Sequence, residues 1–386
     1  MLPQPGTREP RARVPTASLP IVDLVAGARP NFMKLAPVER ALRSTGRVKC
    51  RVVHTGQHYD RAMNEVFFSE LGIPAPEIHL DVGSGSHGQQ TGRVLERYEA
   101  HLLESRPEAT VVFGDVNSTI ACALAAVKLG VGVVHVEAGL RSFDRSMPEE
   151  INRLLVDSIG DLLLVSEESG VHNLRREGVA EERFRLVGNV MIDTLVAALA
   201  AVDRGIPGEL GLEPGGYGLV TLHRPSNVDD PARLELLLRL LGELAARLPL
   251  VFPVHPRTRK AASNAGLQAL LADTPGLTCI QPATYGVNLS LMQGARVVLT
   301  DSGGIQEETT YLRIPCLTLR ENTERPVTTS LGTSRLVGND PARIRDAFDR
   351  VLEGDWPSGS DVPLWDGQAS GRVAAEIVAW LEGRTR

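Results

Sequence analysis

From residue 20 onward, short runs of aliphatic and β-branched residues alternate with longer stretches that have the apolar spacing of helices. This strand-helix-strand alternation predicts parallel β-sheets covered by helices on both faces, an α/β fold. The predicted strands are 20–26, 49–54, 110–114, 131–136, 162–166, 218–222, 249–254, 277–280, 296–300 and 314–319. Helix-like stretches lie between them, for example 118–129 and 232–247.

The length of the chain and one segment rich in Gly and Pro predict two domains. A chain of 386 residues is too long for a single hydrophobic core. Segment 203–216, DRGIPGELGLEPGG, is interpreted as the linker between domains over 19–202 and 217–371. Residues 1–18 are rich in Pro and Arg, which is typical of a disordered extension rather than a signal peptide. The stretch 372–384 predicts one more amphipathic helix.

Charge, hydropathy and cysteine usage exclude several classes of protein. The formal net charge of -6 argues against a nucleic-acid-binding surface. The sequence has no apolar run of the ~18 residues that a membrane span needs. Cys50, Cys122, Cys279 and Cys316 lie far apart in apolar runs and form no CxxC motif. They are interpreted as buried free thiols rather than disulfides or metal ligands, which fits a cytoplasmic location.

Charged or titratable residues follow six of the predicted strands. Ligands of open parallel sheets bind beyond the carboxyl ends of the strands, so these positions predict a cleft lined from both domains. The residues are Arg29, Asp115, Glu137, His223, His255 and Asp301. The chain has only four lysines, so an anionic ligand would be met mostly by arginine or by backbone amides.

The segment ARVVLTDSGGIQEE (295–308) is an apolar strand followed by a turn and a helix start. Gly303 and Gly304 would let the backbone approach a ligand closely, and the free amides of the helix N-terminus suit a phosphate group. Glu308 lies one turn further on, within reach of a ribose hydroxyl. The alternative is a plain tight turn capped by Ser302.

A second strand-to-helix turn, AGARPNFMK (26–34), carries two cations. Pro30 suits the first helical position, with Arg29 before it and Lys34 after it. The turn could hold a diphosphate, although cations at a helix start are often solvated. No GxGxxG follows any predicted strand, so the sequence gives no indication of a nicotinamide cofactor.

Three further motifs are ambiguous when each is taken alone. GDVNST places Asp115 at a strand end, where it could also cap the next helix. TLHRPSN places His223 at the first strand end of the second domain, in a structural or a ligand-facing role. TERP places Glu324 and Arg325 in a loop, by default as a solvated ion pair.

Taken together, these motifs resemble the non-hydrolysing UDP-N-acetylglucosamine 2-epimerases. The matching stretches, in that family's order, are GARPNFMKLAPV, TGQHYDRAMNEVFF, GDVNST, HVEAGLRSFDRSMPEEINR, TLHRPSN, DSGGIQEE and TERP. The resemblance covers about residues 20–338. It implies a GT-B-like architecture of two Rossmann-like parallel-sheet domains with a cleft between them and a C-terminal helix that packs back on the first domain. It also implies a homodimer that interconverts UDP-GlcNAc and UDP-ManNAc without a redox cofactor or a metal ion.

The resemblance also assigns roles to individual residues. Those expected to hold UDP are Arg29, Lys34, Ser302, Gly303, Gly304, Glu308 and Arg325. Those expected around the sugar as catalytic residues are Asp115, Glu137, Glu149 and His223. Gln57, His58 and His255 are candidates for contacts with a second, allosteric UDP-GlcNAc. The chain departs from the family at Val116, where Thr is frequent, in HRPSN, where HRREN is commoner, and at Asn288, where an aromatic residue is usual near the uracil.

The chemistry explains why the family needs these groups. The C2 proton of the sugar is not next to a carbonyl, so UDP must leave C1 first and make C2 acidic. The resemblance implies elimination to 2-acetamidoglucal and UDP, then re-addition after protonation of the other face. The expected reactive carboxylates of residues 135–153 are Glu137 and Glu149, and Arg141, Arg145 and Arg153 would compensate the acidic cluster. The alternative for this stretch is a surface ion-pair network.

The sequence is also compatible with other activities. A hydrolysing 2-epimerase would release ManNAc and UDP. A UDP-diacetamido-glucuronate 2-epimerase would need an extra cation for the carboxylate of its sugar. A GT-B glycosyltransferase would need an acceptor site, and a nucleotide-sugar-binding module would need no catalysis.

Overall fold

Seven parallel strands form the first sheet of the protein, whose computed structural model describes residues 19–56 and 72–384. The strands are β1 (Ile21–Ala26), β2 (Lys49–His54), β3 (Ile78–His79), β4 (Ala109–Phe113), β5 (Gly132–Ala138), β6 (Leu162–Val165) and β7 (Phe184–Leu186). They lie in the order β3-β2-β1-β4-β5-β6-β7. The direction of winding reverses between β1 and β4, which opens a crevice at the carboxyl ends of these two strands.

Helices cover both faces of this sheet. They are α1 (Arg29–Thr45), α2 (His87–Ser105), α3 (Asn117–Lys128), α4 (Pro148–Ile159), α5 (Glu168–Arg176) and α6 (Val190–Leu199). Every residue of β4 and β5 is buried, as expected for parallel strands covered on both sides. Pro30 lies in the first turn of α1, and Gly46 ends that helix with a left-handed φ of 62°. The helix starts therefore fall at the crevice, where the strands end.

The second half repeats the same winding with six parallel strands. Its strands are β8 (Gly218–Thr221), β9 (Leu250–Pro253), β10 (Leu277–Ile280), β11 (Val297–Thr300), β12 (Cys316–Thr318) and β13 (Ser334–Leu336), in the order β10-β9-β8-β11-β12-β13. Its helices are α7 (Ile206–Glu209), α8 (Pro225–Val228), α9 (Pro231–Ala245), α10 (Pro256–Asn264), α11 (Gln268–Ala272), α12 (Tyr285–Gly294), α13 (Gly303–Leu312), α14 (Val327–Ser330) and α15 (Pro341–Glu353). This order also reverses, between β8 and β11, and the predicted α/β fold with two parallel sheets is confirmed.

The last helix of the chain, α16 (Ala369–Arg384), packs into the core of the first half. Its buried residues Val373 and Ile377 belong to the same hydrophobic cluster as β1, β2 and α1. The Asp193 carboxylate on α6 accepts hydrogen bonds from the backbone N–H groups of Ala369, at 3.0 Å, and Ser370, at 2.6 Å. These bonds cap the start of α16 and fix it to the first half.

Several local expectations need correction. β5 extends to Ala138, so Glu137 lies inside the strand rather than after it. The register of β5 against β6 shifts between Val136 and Ala138, and this irregularity lets the strand continue. Segment 203–216 contains the short helix α7 and a buried leucine, Leu212, so part of it packs on the second half. Within the described residues, no helix has the length and apolarity needed to cross a membrane.

Candidate active site

A cavity of about 480 Å³ lies between the two halves of the molecule. The residues that line it include Pro30 and Met33 of α1, His223 after β8, Tyr285 of α12, and Ser302, Gly304 and Glu308 at the start of α13. The N-terminal turns of α1 and α13 therefore both border one space. Free amides and the positive end of the helix dipole make such turns suitable for an anion.

Glu137 is the carboxylate that links the two halves. Its side chain is 5% exposed, and it adopts a left-handed φ of 74°, which is uncommon for a residue other than glycine. One carboxylate oxygen pairs with Lys34 of α1. The other accepts a hydrogen bond from Nη2 of Arg325 in the second half, at 2.8 Å. Two residues expected to bind UDP therefore contact one expected to be catalytic.

Arg325 is surrounded by three carboxylates. Its Nε donates to Glu307 at 2.6 Å, its Nη1 contacts Glu324, and its Nη2 donates to Glu137. Burial opposes the charge of Arg325, but Glu307, Glu324 and Glu137 outweigh this effect and hold its pKa well above the usual value. Burial likewise opposes the charge of Glu324, yet Arg325 and Arg320 hold its pKa well below the usual range. The expectation of a solvated Glu324–Arg325 pair is therefore wrong, because both side chains are buried.

The two glycines of the DSGG turn have different surroundings. A Cβ added at Gly303 would lie 2.8 Å from Nη1 of Arg325 and 2.9 Å from the Glu324 carboxylate. A Cβ added at Gly304 would meet nothing closer than Met191, at 3.8 Å. Gly303 therefore makes room for the buried ion pair, while Gly304 borders the cavity. Ser302 precedes α13, but its side chain forms no capping hydrogen bond.

Asp115 is held by the acidic stretch rather than serving as a helix cap. The residue at the N-cap of α3 is Val116, and the Asp115 carboxylate contacts Nη1 of Arg153. Arg153 also donates to the carboxylate of Glu150, at 2.8 Å from Nη2. Glu150 in turn accepts from the backbone N–H of Ser142 at 2.9 Å. Glu150 and Arg153 are buried and Asp115 is half-buried, so the surface ion-pair alternative for residues 135–153 is wrong.

The remaining charged residues of that stretch differ in their surroundings. Glu149 is half-buried in the first turn of α4. It lies close enough to Arg224 of the second half for its charge to act against the lowering of the Arg224 pKa. Arg141 is buried and pairs with Asp157 at 2.7 Å and with Glu177. Arg145 is exposed. Arg141 and Arg153 therefore do fix the acidic loop as expected, while Arg145 lies at the surface.

His223 borders the cavity and is oriented by a buried carboxylate. Its Nδ1 lies 2.9 Å from Asp301, which also accepts hydrogen bonds from the backbone N–H groups of His223 and Arg224. Burial opposes ionisation of Asp301, but its bonds with His223 outweigh burial and lower its pKa. Since Nδ1 is engaged, Nε2 is the nitrogen left to act on a ligand. The His255 ring lies 5.3 Å from that of His223 and also lines the cavity.

One wall of the cavity combines an acid with a phenol and an amide. Glu308 is buried, and this burial raises the pKa of its carboxyl to about 7. The neighbouring Tyr285 acts to lower this pKa, and the charge of Glu307 acts to raise it. Asn288, at the position where the resembling family usually has an aromatic residue, lies beside Tyr285 on the same wall. The Glu308 carboxyl is therefore placed to accept or donate hydrogen bonds near neutral pH.

Some expected site residues lie outside what the structure describes. Gln57 and His58 belong to the segment 57–71, which is outside the described residues. Arg29 is the first residue of α1, and its side chain is likewise not described.

Sequence reasoning missed three buried acids next to the site. Glu307 and Glu150 are each adjacent to a predicted site residue, Glu308 and Glu149 respectively. The doubled glutamates of QEE and PEE were therefore a signal that could have revealed them. Glu167 follows β6 and is buried against the second half, close to the backbone N–H of Val327. As an acid directly after a strand, Glu167 could have been found by the same rule that selected Asp115.

The two doubly wound sheets, with two helix N-termini and a buried carboxylate cluster at their junction, define a GT-B-like protein with an interdomain site. The chain belongs to the UDP-N-acetylglucosamine 2-epimerase family, because the family model of that description matches residues 40–378. The family and the class of enzyme predicted from the sequence are therefore confirmed.

Individual relatives agree with this assignment. A UDP-N-acetylglucosamine 2-epimerase of Methanocaldococcus jannaschii is 39% identical over 361 residues, which cover 91% of this chain and 97% of that protein. A UDP-2,3-diacetamido-2,3-dideoxy-D-glucuronate 2-epimerase of Pseudomonas aeruginosa is 40% identical, with 91% and 97% covered. The crystal structure of the M. jannaschii UDP-GlcNAc 2-epimerase in complex with UDP-GlcNAc and UDP superposes with a TM-score of 0.86, at 38% identity, and covers 93% of this chain and 99% of that one.

Proposed function

We propose that this protein interconverts UDP-GlcNAc and UDP-ManNAc without net hydrolysis. The observation that carries the proposal is the position of Glu137, a buried carboxylate held between Lys34 of the first half and Arg325 of the second. A reaction that moves a proton and a diphosphate at adjacent carbons needs a carboxylate and cations together in a site that excludes water.

The cavity suits a uridine diphosphate. Its diphosphate would lie between the N-terminal turns of α1 and α13, where Arg29, Ser302, Gly303 and Gly304 supply backbone amides. Lys34 and Arg325 would complete the positive surroundings. Glu308 would bind the ribose hydroxyls, with Asn288 and Tyr285 along the wall next to the base.

The reaction begins with loss of UDP from C1. The C1–O bond breaks, its electron pair stays on the β-phosphate oxygen, and positive charge develops at C1. A carboxylate then takes the C2 proton, and the C–H electron pair forms the C1=C2 bond of 2-acetamidoglucal. For the return, a proton is added to C2 from the opposite face and the UDP oxygen attacks C1, so the reaction consumes neither water nor a redox equivalent.

Proton exchange on both faces of C2 requires acid-base groups on both sides of the sugar. Asp115, Glu137 and Glu149 come from the first half, whereas His223 comes from the second. Asp301 orients His223, and Arg153 holds Asp115. Groups from opposite halves would thus face the sugar from opposite sides once it lies in the cleft.

The test is proton NMR of UDP-GlcNAc incubated with the enzyme in heavy water. We expect UDP-ManNAc with deuterium at C2 and no need for added NAD. Free ManNAc and UDP as the main products would show a hydrolysing enzyme instead. Absence of exchange at C2 would refute 2-epimerisation of this substrate.

A second candidate substrate is UDP-2,3-diacetamido-glucuronate, the substrate class named for the P. aeruginosa relative. It is favoured by two neighbouring arginines, Arg224 and Arg320. Burial lowers the pKa of Arg224, and the nearby charge of Arg320 lowers it further. Arg224 lies 3.9 Å from the carboxylate of Glu324, which pairs more closely with Arg320 at 2.7 Å, so a sugar carboxylate could still bind to Arg224. Measuring kcat/KM for both nucleotide sugars decides between them.

We further propose that the protein is a cytoplasmic homodimer. Leu103 of α2 and Leu155 of α4 are about half exposed, on helices that both pack beside α3, which supports a subunit contact there. The four cysteines are all unpaired, which supports a reducing compartment. Light scattering of the purified protein tests the dimer.

A further inference from the structure

His135 lies two residues before Glu137 on β5 and is fully buried. Its Nδ1 is 2.7 Å from the Asp157 carboxylate, and its Nε2 is 2.8 Å from the backbone carbonyl of Gly114. Burial opposes ionisation of Asp157, but His135 and Arg141 outweigh it and lower the pKa of that carboxyl. An ionised carboxylate and a carbonyl can only accept hydrogen bonds, so both ring nitrogens of His135 face acceptors that hold the ring in place.

The Asp157 carboxylate also holds the chain on the other side of Glu137. Its Oδ2 accepts a hydrogen bond from the backbone N–H of Gly139 at 3.0 Å and pairs with Nη1 of Arg141 at 2.7 Å. One side chain of α4 thus fixes the residues two before and two after Glu137.

The backbone between these two anchors is unusual. Glu137 has a φ of 74° and Gly139 a φ of 81°, and the β5–β6 register shifts between Val136 and Ala138. A left-handed residue with a side chain persists only when its surroundings fix it. The His135–Asp157 pair supplies this constraint at the residue whose carboxylate joins the two halves.

The second ring nitrogen reaches the neighbouring strand. Gly114 directly precedes Asp115, and its own N–H donates to the carbonyl of Val136 at 3.0 Å. A Cβ at Gly114 would lie 2.8 Å from Nζ of Lys34, the cation that pairs with Glu137. His135 therefore connects the turn that carries Asp115 to the strand that carries Glu137.

We propose that His135 is a positioning residue, whose two ring hydrogen bonds set the separation of the Glu137 and Asp115 carboxylates. The proposal rests on the proposed function, since it takes these carboxylates as reactive groups. The charges that face the ring and its partner are Asp157, Arg141 and, beyond Arg141, Glu177.

The test compares His135→Gln with a matched control, His101→Gln. His101 also lies in the first half and binds a fully buried carboxylate, that of Asp23, at 2.9 Å. Both variants lose a buried histidine–carboxylate pair, so both should melt at a lower temperature than the wild type. Only His135→Gln should lower kcat, by roughly 10–100-fold, because misplacing a reacting group by about 1 Å slows a reaction by this much. The KM for UDP-GlcNAc and the affinity for UDP should change less than about threefold.

Equal kcat for the two variants, or a kcat of His135→Gln within about threefold of the wild type, overturns the proposal. If His135→Gln does not fold, Asp157→Asn is expected to give the same fall in kcat at constant KM. An inactive wild type refutes the proposed function instead, and crystal structures of the wild type and His135→Gln then test the positioning directly. We expect the separation of the Asp115 and Glu137 carboxylates to change by about 1 Å in the variant, and an unchanged separation contradicts the proposal.

Discussion

Replacing Glu167 by Gln should make the protein more stable at neutral and alkaline pH. Glu167 is 3% exposed, accepts a hydrogen bond from Ser169 Oγ at 2.5 Å and lies close to the backbone N–H of Val327 in the other half. Burial, with a smaller contribution from the neighbouring Glu307, raises its pKa from 4.5 to about 7. A glutamine preserves the size and one acceptor oxygen but never carries the buried charge.

The direction of the effect follows from proton linkage. Because the pKa is higher in the folded state, the native protein holds more protons than the unfolded chain between about pH 4.5 and pH 7. The contribution of Glu167 to stability is therefore present at low pH, falls as the pH rises through this window, and stays level above about pH 7. At about 1.4 kcal/mol for each pH unit, the wild type loses roughly 3 kcal/mol across the window relative to Glu167→Gln.

The assay is thermal and urea denaturation of both proteins at pH 5, 6, 7 and 8. The stability difference should shift in favour of the variant from pH 5 to pH 7 and should stay level between pH 7 and pH 8. Glu168→Gln is the matched control, because Glu168 is the adjacent residue and is exposed. Its difference from the wild type should be small and nearly independent of pH. A Glu167→Gln difference that is the same at pH 5 and pH 8 would refute the reasoning.

Two further predictions concern the proposed reaction. Glu149→Gln, at a half-buried position, should lower turnover by roughly 10²–10⁴-fold with little change in melting temperature. Glu137→Gln should lower both turnover and melting temperature, because it leaves two buried cations, Lys34 and Arg325, with a weaker partner. Turnover of Glu149→Gln within about threefold of the wild type would contradict its catalytic role. Gly303→Ala should reduce turnover and stability because its Cβ would collide with Arg325, and Gly304→Ala, whose Cβ has room, should retain the wild-type melting temperature. Equal melting temperatures for the two alanine variants would contradict this reading of the turn.

The features of the site that were predictable from the sequence are those with a local cause. Asp115 and His223 follow buried apolar strands, and parallel strands place their carboxyl ends along one edge. Glu308 follows a glycine pair at a helix start, which is also a local pattern. For these residues the position along the chain already determines the position in the fold.

The contacts that were not predictable join distant parts of the chain. Arg325 meets Glu137 across 188 positions, and nothing in the TERP sequence indicates which carboxylates will surround it. The left-handed backbone of Glu137 depends on Asp157 and could not be inferred from a strand-like run. The short edge strands β3, β7 and β13 have only two or three residues, too few for any periodicity to appear.

The packing of α16 has a consequence for how the chain folds during synthesis. Val22 near the start of the described chain and Ile377 near its end share one hydrophobic cluster. The ribosome releases the N-terminal half first, but the apolar side of α1 that α16 covers stays open until residues 369–384 have left the exit tunnel. The first half therefore cannot finish folding before the second half has been synthesised, and a chain that terminates before residue 369 leaves that surface exposed to chaperones, proteases or aggregation.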